Sequence, residues 1–293
     1  MTTEITAARL TAHVRELSDV IGERNVFRPQ ALHAAAAYIT QEWQQQGYTV
    51  NPQTYSVSGV ACSNLEVTRH GSVKPDEIIL IGAHYDTVAG SPGADDNASG
   101  VAALLEISRL FAALTPERTV RFVAFVNEES PFFFWNTMGS LVYARAARRR
   151  GDDIQLMIAL EMLGYYSTTE GSQSYPPLLK YFYPGKGDFI AFVSDLRSRS
   201  LLRLFTSLFR AHSDFPAQQL ATSFLVPGVA LSDHFSFWRQ GYRALMITDT
   251  AFHRNPFYHT AGDTADKINY AAFTRVTQGI YQALAEFSAA RPA

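Results

Sequence analysis

The sequence predicts an α/β fold, a three-layer αβα sandwich around a mixed, mainly parallel central sheet. Short apolar runs of strand length alternate with segments of helical periodicity, the pattern of strands joined through helices. The run Ile78-Ile79-Leu80-Ile81 passes into the Gly-rich stretch G-A-H-Y-D-T-V-A-G-S-P-G-A-D-D-N-A-S-G and then into an apolar helical pattern. A hydrophobic fraction of 47% against 18% charged residues supplies a substantial core. No linker, repeat or low-complexity segment interrupts the 293 residues. One domain is therefore expected over 1–293, with 1–75 as helices and edge strands integral to it.

The elements follow in order. Residues 3–21 read as an amphipathic helix with Ile5, Leu10, Val14, Leu17 and Ile21 on one side. Arg28-Pro29 breaks the chain, and 30–46 form a second helix that Gly47 ends as a C-cap. Residues 48–60 and 63–68 read as strands, 69–72 as a turn and 78–83 as a buried strand. A helix runs from near Asn97 to 114, and a buried strand over 119–126 is closed by Asn127-Glu128-Glu129. The helix over 139–150 ends in A-R-A-A-R-R-R, cations that suit the negative end of its dipole. Residues 154–160 form a strand closed by Glu161, and 164–187 a long loop rich in Tyr, Ser, Pro and Gly. A strand over 189–193, a helix over 198–212, a helical turn over 232–239 and a last strand over 242–248 come next. A loop over 251–262 and an amphipathic helix over 269–288 close the chain, and His13, His33, His70 and His212 read as surface residues.

Composition excludes several functions. The net charge is −2 with no basic stripe, which argues against nucleic acid as a partner. Cys62 is the single cysteine, so neither an internal disulfide nor a thiolate zinc site is available. No window approaches the roughly 18 apolar residues of a membrane span, and the first residues carry no apolar signal core. A cytoplasmic protein without membrane contact is the expectation. The oligomeric state is not indicated.

Chemistry gathers at the strand ends. His84 and Asp86 end one strand, Glu128 and Glu129 a second and Glu161 a third, while His253 and His259 lie in the loop after the last. Asp95 and Asp96 enter the helix near Asn97. In a parallel sheet these ends converge on one edge, where open α/β sheets bind ligands. Carboxylates buried there without counter-charge are very costly. Two zinc ions balance the charge of Asp96, Glu129, Glu161 and one hydroxide, and His84 and His259 add neutral nitrogen donors. Of the pair Glu128-Glu129, one then ligates and the other is free as a general base. Asp95 also suits the N-cap of the following helix.

The motifs G-A-H-Y-D-T, G-A-D-D-N-A-S-G-V-A, N-E-E, M-G-S and Y-H-T-A-G-D-T, in this order, resemble the co-catalytic di-zinc aminopeptidase family, zinc exopeptidases related to glutamate carboxypeptidase and the glutaminyl cyclases. The likeness covers roughly 75–290. It implies a metallopeptidase with peptide substrates and two zinc ions, replaceable by cobalt or manganese. It further implies that His84 binds one zinc, Asp96 bridges both, Glu129 and His259 bind the second, and Glu128 is the base. Asp86 would orient His84 from behind, with Asp95 also in support. Glu161 stands where the family usually has Asp, as a ligand of the His84 zinc. Asp233-His234 matches a family segment near the site.

Between Glu129 and Gly139 the chain carries nine residues, S-P-F-F-F-W-N-T-M, where family members often have about four. This aromatic segment is open to three readings: the wall of a substrate side-chain pocket, an insertion tucked into the core, or a subunit contact. Arg254 is a candidate cation for a substrate carboxylate, which a carboxypeptidase would need. A glutaminyl-cyclase-like acyl transferase with one zinc, or a binding protein on the same scaffold, are the alternative functions; the complete donor set and the retained base argue against them.

Overall fold

A computed structural model describes residues 4–177 and 179–289. The strands are β1 (Asn51–Val57), β2 (Val60–Arg69), β3 (Lys74–His84), β4 (Arg118–Phe125), β5 (Asp153–Glu161), β6 (Ile190–Ser194), β7 (Ala217–Ala221) and β8 (Ala244–Thr248). They form one sheet in the order β1-β2-β4-β3-β5-β8-β6-β7. The inner strands β4, β3, β5 and β8 run parallel, while β1, β2 and β6 introduce antiparallel pairs. The sheet is thus mixed and mainly parallel, as the alternation of elements predicts.

Alternation along the inner strands divides two cores. Ile79, Ile81, Phe122, Ile158 and Ile247 face one side, where α1 (Ala7–Arg15), α2 (Pro29–Gln45), α3 (Gly100–Phe111), α5 (Arg199–His212) and α7 (Tyr270–Ser288) pack. Ile78, Leu80, Phe125 and Met157 face the other, under α4 (Gly139–Arg150) and α6 (His234–Arg239). Burial on both faces is why 78–83 of β3, 122–125 of β4 and 156–160 of β5 are continuously apolar.

Several expectations need correction. The first helix is α-helical only to Arg15 and continues to Ile21 as a wider π turn; Thr3 lies outside the described residues. The strand expected over 48–60 is shorter, because Ser58 and Gly59, both at positive φ, turn the chain into β2. Strand β3 begins at Lys74, and β7 escaped the reading because A-Q-Q-L-A lacks β-branched and aromatic residues. His13 is buried, with Nδ1 2.6 Å from Tyr38 Oη and Nε2 3.4 Å from Glu106 Oε1. Its face of α1 meets α3, which periodicity alone does not reveal.

Asn64 on β2 ties the end of β4 to the start of α4. Its side chain accepts from Val126 N at 3.2 Å and donates to Gly139 O at 2.8 Å, while Gly139 N donates to Val126 O. A Cβ on residue 139 would collide with Val126 O and Asn64 Oδ1. Gly139→Ala is therefore expected to cost about 1–3 kcal/mol, read as a lower urea midpoint; an unchanged midpoint would show that this junction yields freely.

Candidate metal centre

The carboxyl ends of β4, β3, β5 and β8 lie side by side, and the polar residues that follow them meet over that edge. His84 ends β3 and Glu161 ends β5. Glu128 and Glu129 follow β4 after Asn127, whose φ of 59° takes the chain off the strand line, so neighbouring residues can both reach the site. Asp96 comes from the loop after β3. That loop folds back through Gly90 (φ 85°) and Gly93 (φ 60°); at Gly93 a side chain would also strike Asp96 O. The Asp96–Asn97 peptide bond is cis.

Two donor groups result, His84 with Asp96 and Glu161, and Asp96 with Glu129 and His259. His84 Nε2 lies 3.4 Å from Asp96 Oδ1 and 3.4 Å from Glu161 Oε2. His259 Nε2 lies 3.2 Å from Asp96 Oδ2 and 3.1 Å from Glu129 Oε2. Asp96 therefore turns one oxygen to each group. Buried His84 Nε2 and Glu129 Oε1 have no hydrogen-bond partner in the protein. Buried polar atoms without partners are rare, and the nitrogen–oxygen donor set suits zinc. The residues fit a pair of metal ions. Glu128 stands outside both groups, its Oε2 3.9 Å from His84 Nε2.

The supporting residues hold backbone as well as side chains. Asp86 faces His84 Nδ1 with its main-chain oxygen at 3.2 Å, and its nearest carboxylate oxygen is 3.7 Å away. Its carboxylate instead accepts from Glu128 N and Glu129 N, both at 3.1 Å. Asp263 does the same for the other loop, accepting from Asp95 N at 2.9 Å and Asp96 N at 3.0 Å. Asp95 does not cap the helix. Its carboxylate accepts from Gly164 N and Asn255 Nδ2 and faces buried Asp249, while Asn97 Oδ1 caps α3 by accepting from Gly100 N at 3.1 Å. Burial, then the negative Asp249, holds the Asp95 carboxyl far above its ordinary range.

Sequence reading missed four contributors. Asp263 lies inside Y-H-T-A-G-D-T and was detectable as an acid in a motif. Asp249 follows the last strand, and Ser232 donates to Glu161 Oε2 at 2.6 Å. Arg24 gave no signal. Fully buried, it donates to the carbonyl oxygens of Leu17, Gly22, Tyr85, Pro92 and Gly93 and so straps the loop between His84 and Asp96 to the N-terminal segment. Burial brings its pKa down to about 10, against the pull of Asp263, Asp86, Asp96 and Glu129. Arg254 is not a cleft cation. Its Nε donates to Gln173 at 2.9 Å and its guanidinium lies 4.6 Å from the Phe189 ring.

Beside Glu161 opens a cavity of about 110 Å³ over β8, β6 and β7, lined by Tyr175, Leu220, Val229, Met246 and Phe252 among others, with His253 at its wall. The aromatic segment 130–138 is not part of that lining, and Phe134 and Trp135 are exposed rather than tucked into the core.

Fold and edge define a class, the α/β metallopeptidases. The structure matches a zinc aminopeptidase from Bacillus subtilis (TM-score 0.77, 14% identity, 98% of this chain and 96% of that one) and a glutaminyl cyclase from Bacteroides thetaiotaomicron (TM-score 0.70, 19% identity, 95% and 97%). In sequence it is 38% identical to the uncharacterized protein YfbL of Escherichia coli (strain K12), over 93% of this chain and 85% of that protein. It is 25% identical to the probable aminopeptidase YDR415C of Saccharomyces cerevisiae, over 88% of this chain and 66% of that protein. The chain belongs to peptidase family M28, whose description matches residues 64–284.

Without metal, the site stores like charges. Burial raises Glu129 to about 7, Asp233 to about 7 and Asp263 to about 7. Burial opposes the charge on His259, yet hydrogen bonds to Asp96 and Glu129 carry it up to about 10. All four groups bind protons more tightly folded than unfolded, so the stability they contribute is present at low pH and lost as pH rises. Chelator-treated protein is expected to lose stability as pH rises from the ordinary carboxyl range through about 7, where the three carboxyls ionise, and on toward about 10, where His259 does, and added divalent metal to restore it at neutral pH and above. Urea midpoints across that range check this; a midpoint that rises with pH would contradict it.

Proposed function

We propose that the chain is a zinc-dependent aminopeptidase that removes N-terminal residues from peptides, with two zinc ions per chain. His84, Asp96 and Glu161 would hold one, Asp96, Glu129 and His259 the other. The observation that carries the reading is the bridging orientation of Asp96, with one oxygen toward each histidine. Zinc at these donors supplies Lewis acidity, polarising the scissile carbonyl and acidifying a water near it.

Glu128 is the general base. It is the glutamate left out of both donor groups, it is buried, and burial, with Glu161, Glu129 and Asp233 nearby, raises its proton affinity well above that of an ordinary carboxyl. It takes a proton from the attacking water and returns one to the leaving amine. Asp86 fixes its backbone, so its carboxylate is aimed before substrate arrives.

Two features favour the amino end of the substrate. The cleft is rich in carboxylates that attract an ammonium group, and no Lys or Arg lines the cavity among the described residues. Arg254, which a carboxypeptidase could use, is buried and absent from the cavity lining, with its guanidinium against Phe189 and Tyr166. The apolar cavity next to Glu161 suits the side chain of an apolar first residue.

Glu128→Gln is expected to retain two zinc ions per chain while hydrolysis of aminoacyl amides falls roughly 10²–10⁴-fold. Metal analysis and kinetics on the same sample decide it. Substantial residual turnover would remove Glu128 as the base. One tightly bound zinc, with cyclisation of N-terminal glutamine, would replace the peptidase by a cyclase.

A further inference from the structure

The segment 130–138 follows the proposed base directly, yet lies away from the cavity. Its place is set by the order of strands along the edge. The cavity sits past Glu161, over β8, β6 and β7. The segment follows Glu129 and is anchored at one end by Tyr55 on β1, which donates to Thr137 O at 2.9 Å, and in its middle by α6, where Phe134 meets Phe235. In the strand order the ends of β4, β3 and β5, which carry or lead to the donor residues, lie between β1 and β8. A peptide whose first side chain enters the cavity and whose chain crosses these strand ends would bring its next residue to this segment.

The segment is held in place. Its ends meet at the hydrogen bond between Gly139 N and Val126 O, and Arg239 Nη1 donates to Phe134 O at 3.1 Å. Successive turns link Phe132 N to Glu129 O, Trp135 N to Phe132 O and Met138 N to Trp135 O. Phe132 stacks on Phe27, with ring centres 6.5 Å apart, and Phe134 meets Phe235 edge-on at 5.2 Å. On this support Trp135 is 68% exposed, Phe27 60% and Phe134 46%. A fixed loop that keeps large apolar rings in water presents a binding surface.

We propose that Phe27, Phe134 and Trp135 form a subsite for an apolar or aromatic side chain at the second residue of the substrate, immediately beyond the bond to be cut. This rests on the aminopeptidase reading of the same site. The ridge would make the enzyme selective at two positions, through the cavity for the first side chain and through the ridge for the second. Rings already fixed in place lose little freedom on binding, so the contact favours affinity.

The test is calorimetric binding to zinc-loaded Glu128→Gln protein, in which the peptides Leu-Phe-Ala, Leu-Gly-Ala and Leu-Asp-Ala stay intact. Leu-Phe-Ala is expected to bind about tenfold tighter than Leu-Gly-Ala, with Leu-Asp-Ala weakest. Adding Trp135→Ala should bring the Phe-to-Gly ratio close to one, and Trp135→Phe should keep most of it. Equal binding of the Phe and Gly peptides, or a ratio that Trp135→Ala leaves unchanged, overturns the proposal. So does a dimer in sedimentation that Trp135→Ala dissociates while the ratio stays as it was, since the ridge would then be a contact between copies. If native protein hydrolyses neither peptide while the ratio and its loss are seen, the subsite stands and the peptidase reading falls. If native protein hydrolyses both and the ratio is one, the reverse holds.

Discussion

The structure depends on how it tolerates buried negative charge. Asp86, Asp95, Asp96, Glu128, Glu129, Glu161, Asp233, Asp249 and Asp263 are all buried around one edge of the sheet. The buried guanidinium of Arg24 is committed to main-chain carbonyls, and that of Arg254 donates to Gln173 and lies against the rings of Phe189 and Tyr166. An interior arranged in this way favours protons or metal cations, because unpaired carboxylates lose their hydration with little in return. The elevated proton affinity of Glu128, Glu129, Asp233 and Asp263 expresses the same constraint in the metal-free protein.

Two carboxylates give this charge its order. Asp86 accepts from the consecutive backbone N–H groups of Glu128 and Glu129, and Asp263 from those of Asp95 and Asp96. Each grips a loop at the residues whose side chains enter the site, and so fixes direction as well as position. Arg24 adds a third constraint by gathering the carbonyls of the loop between His84 and Asp96. Preorganisation of this kind lets a site built on loops keep the accuracy of one built on strands.

Much of the architecture was legible because the signals are local and periodic. The doubly buried stretches 78–83 of β3, 122–126 in β4 and the residue after it, and 156–160 of β5 are continuously apolar, and α4, α5 and α7 were located to within a residue or two. Strand β7 was not legible, because an edge strand pairing through its backbone needs no distinctive side chains. His13 looked like a surface residue because the helix that buries it is distant in sequence. The gathering of His84, Asp96, Glu129, Glu161 and His259 was legible because all of them stand at strand ends or in the loops that follow.

The sequence by itself determined the class of fold, the acidic and histidine-bearing strand ends and, through its motifs, the family. These are properties of residue type and spacing along the chain. Only the tertiary structure decided that Asp86 and Asp263 also accept from the backbone N–H groups of the loops that carry the donors, that Asn97 and not Asp95 caps α3, and that Arg24 belongs to the site. It also decided that the aromatic segment after Glu129 is exposed and outside the lining of the apolar cavity. The holds of Asp86, Arg24 and Asp263 join groups 42, 61 and 168 positions apart in sequence, where the choice among several acceptors of similar strength is made by packing and by the order of strands in the sheet.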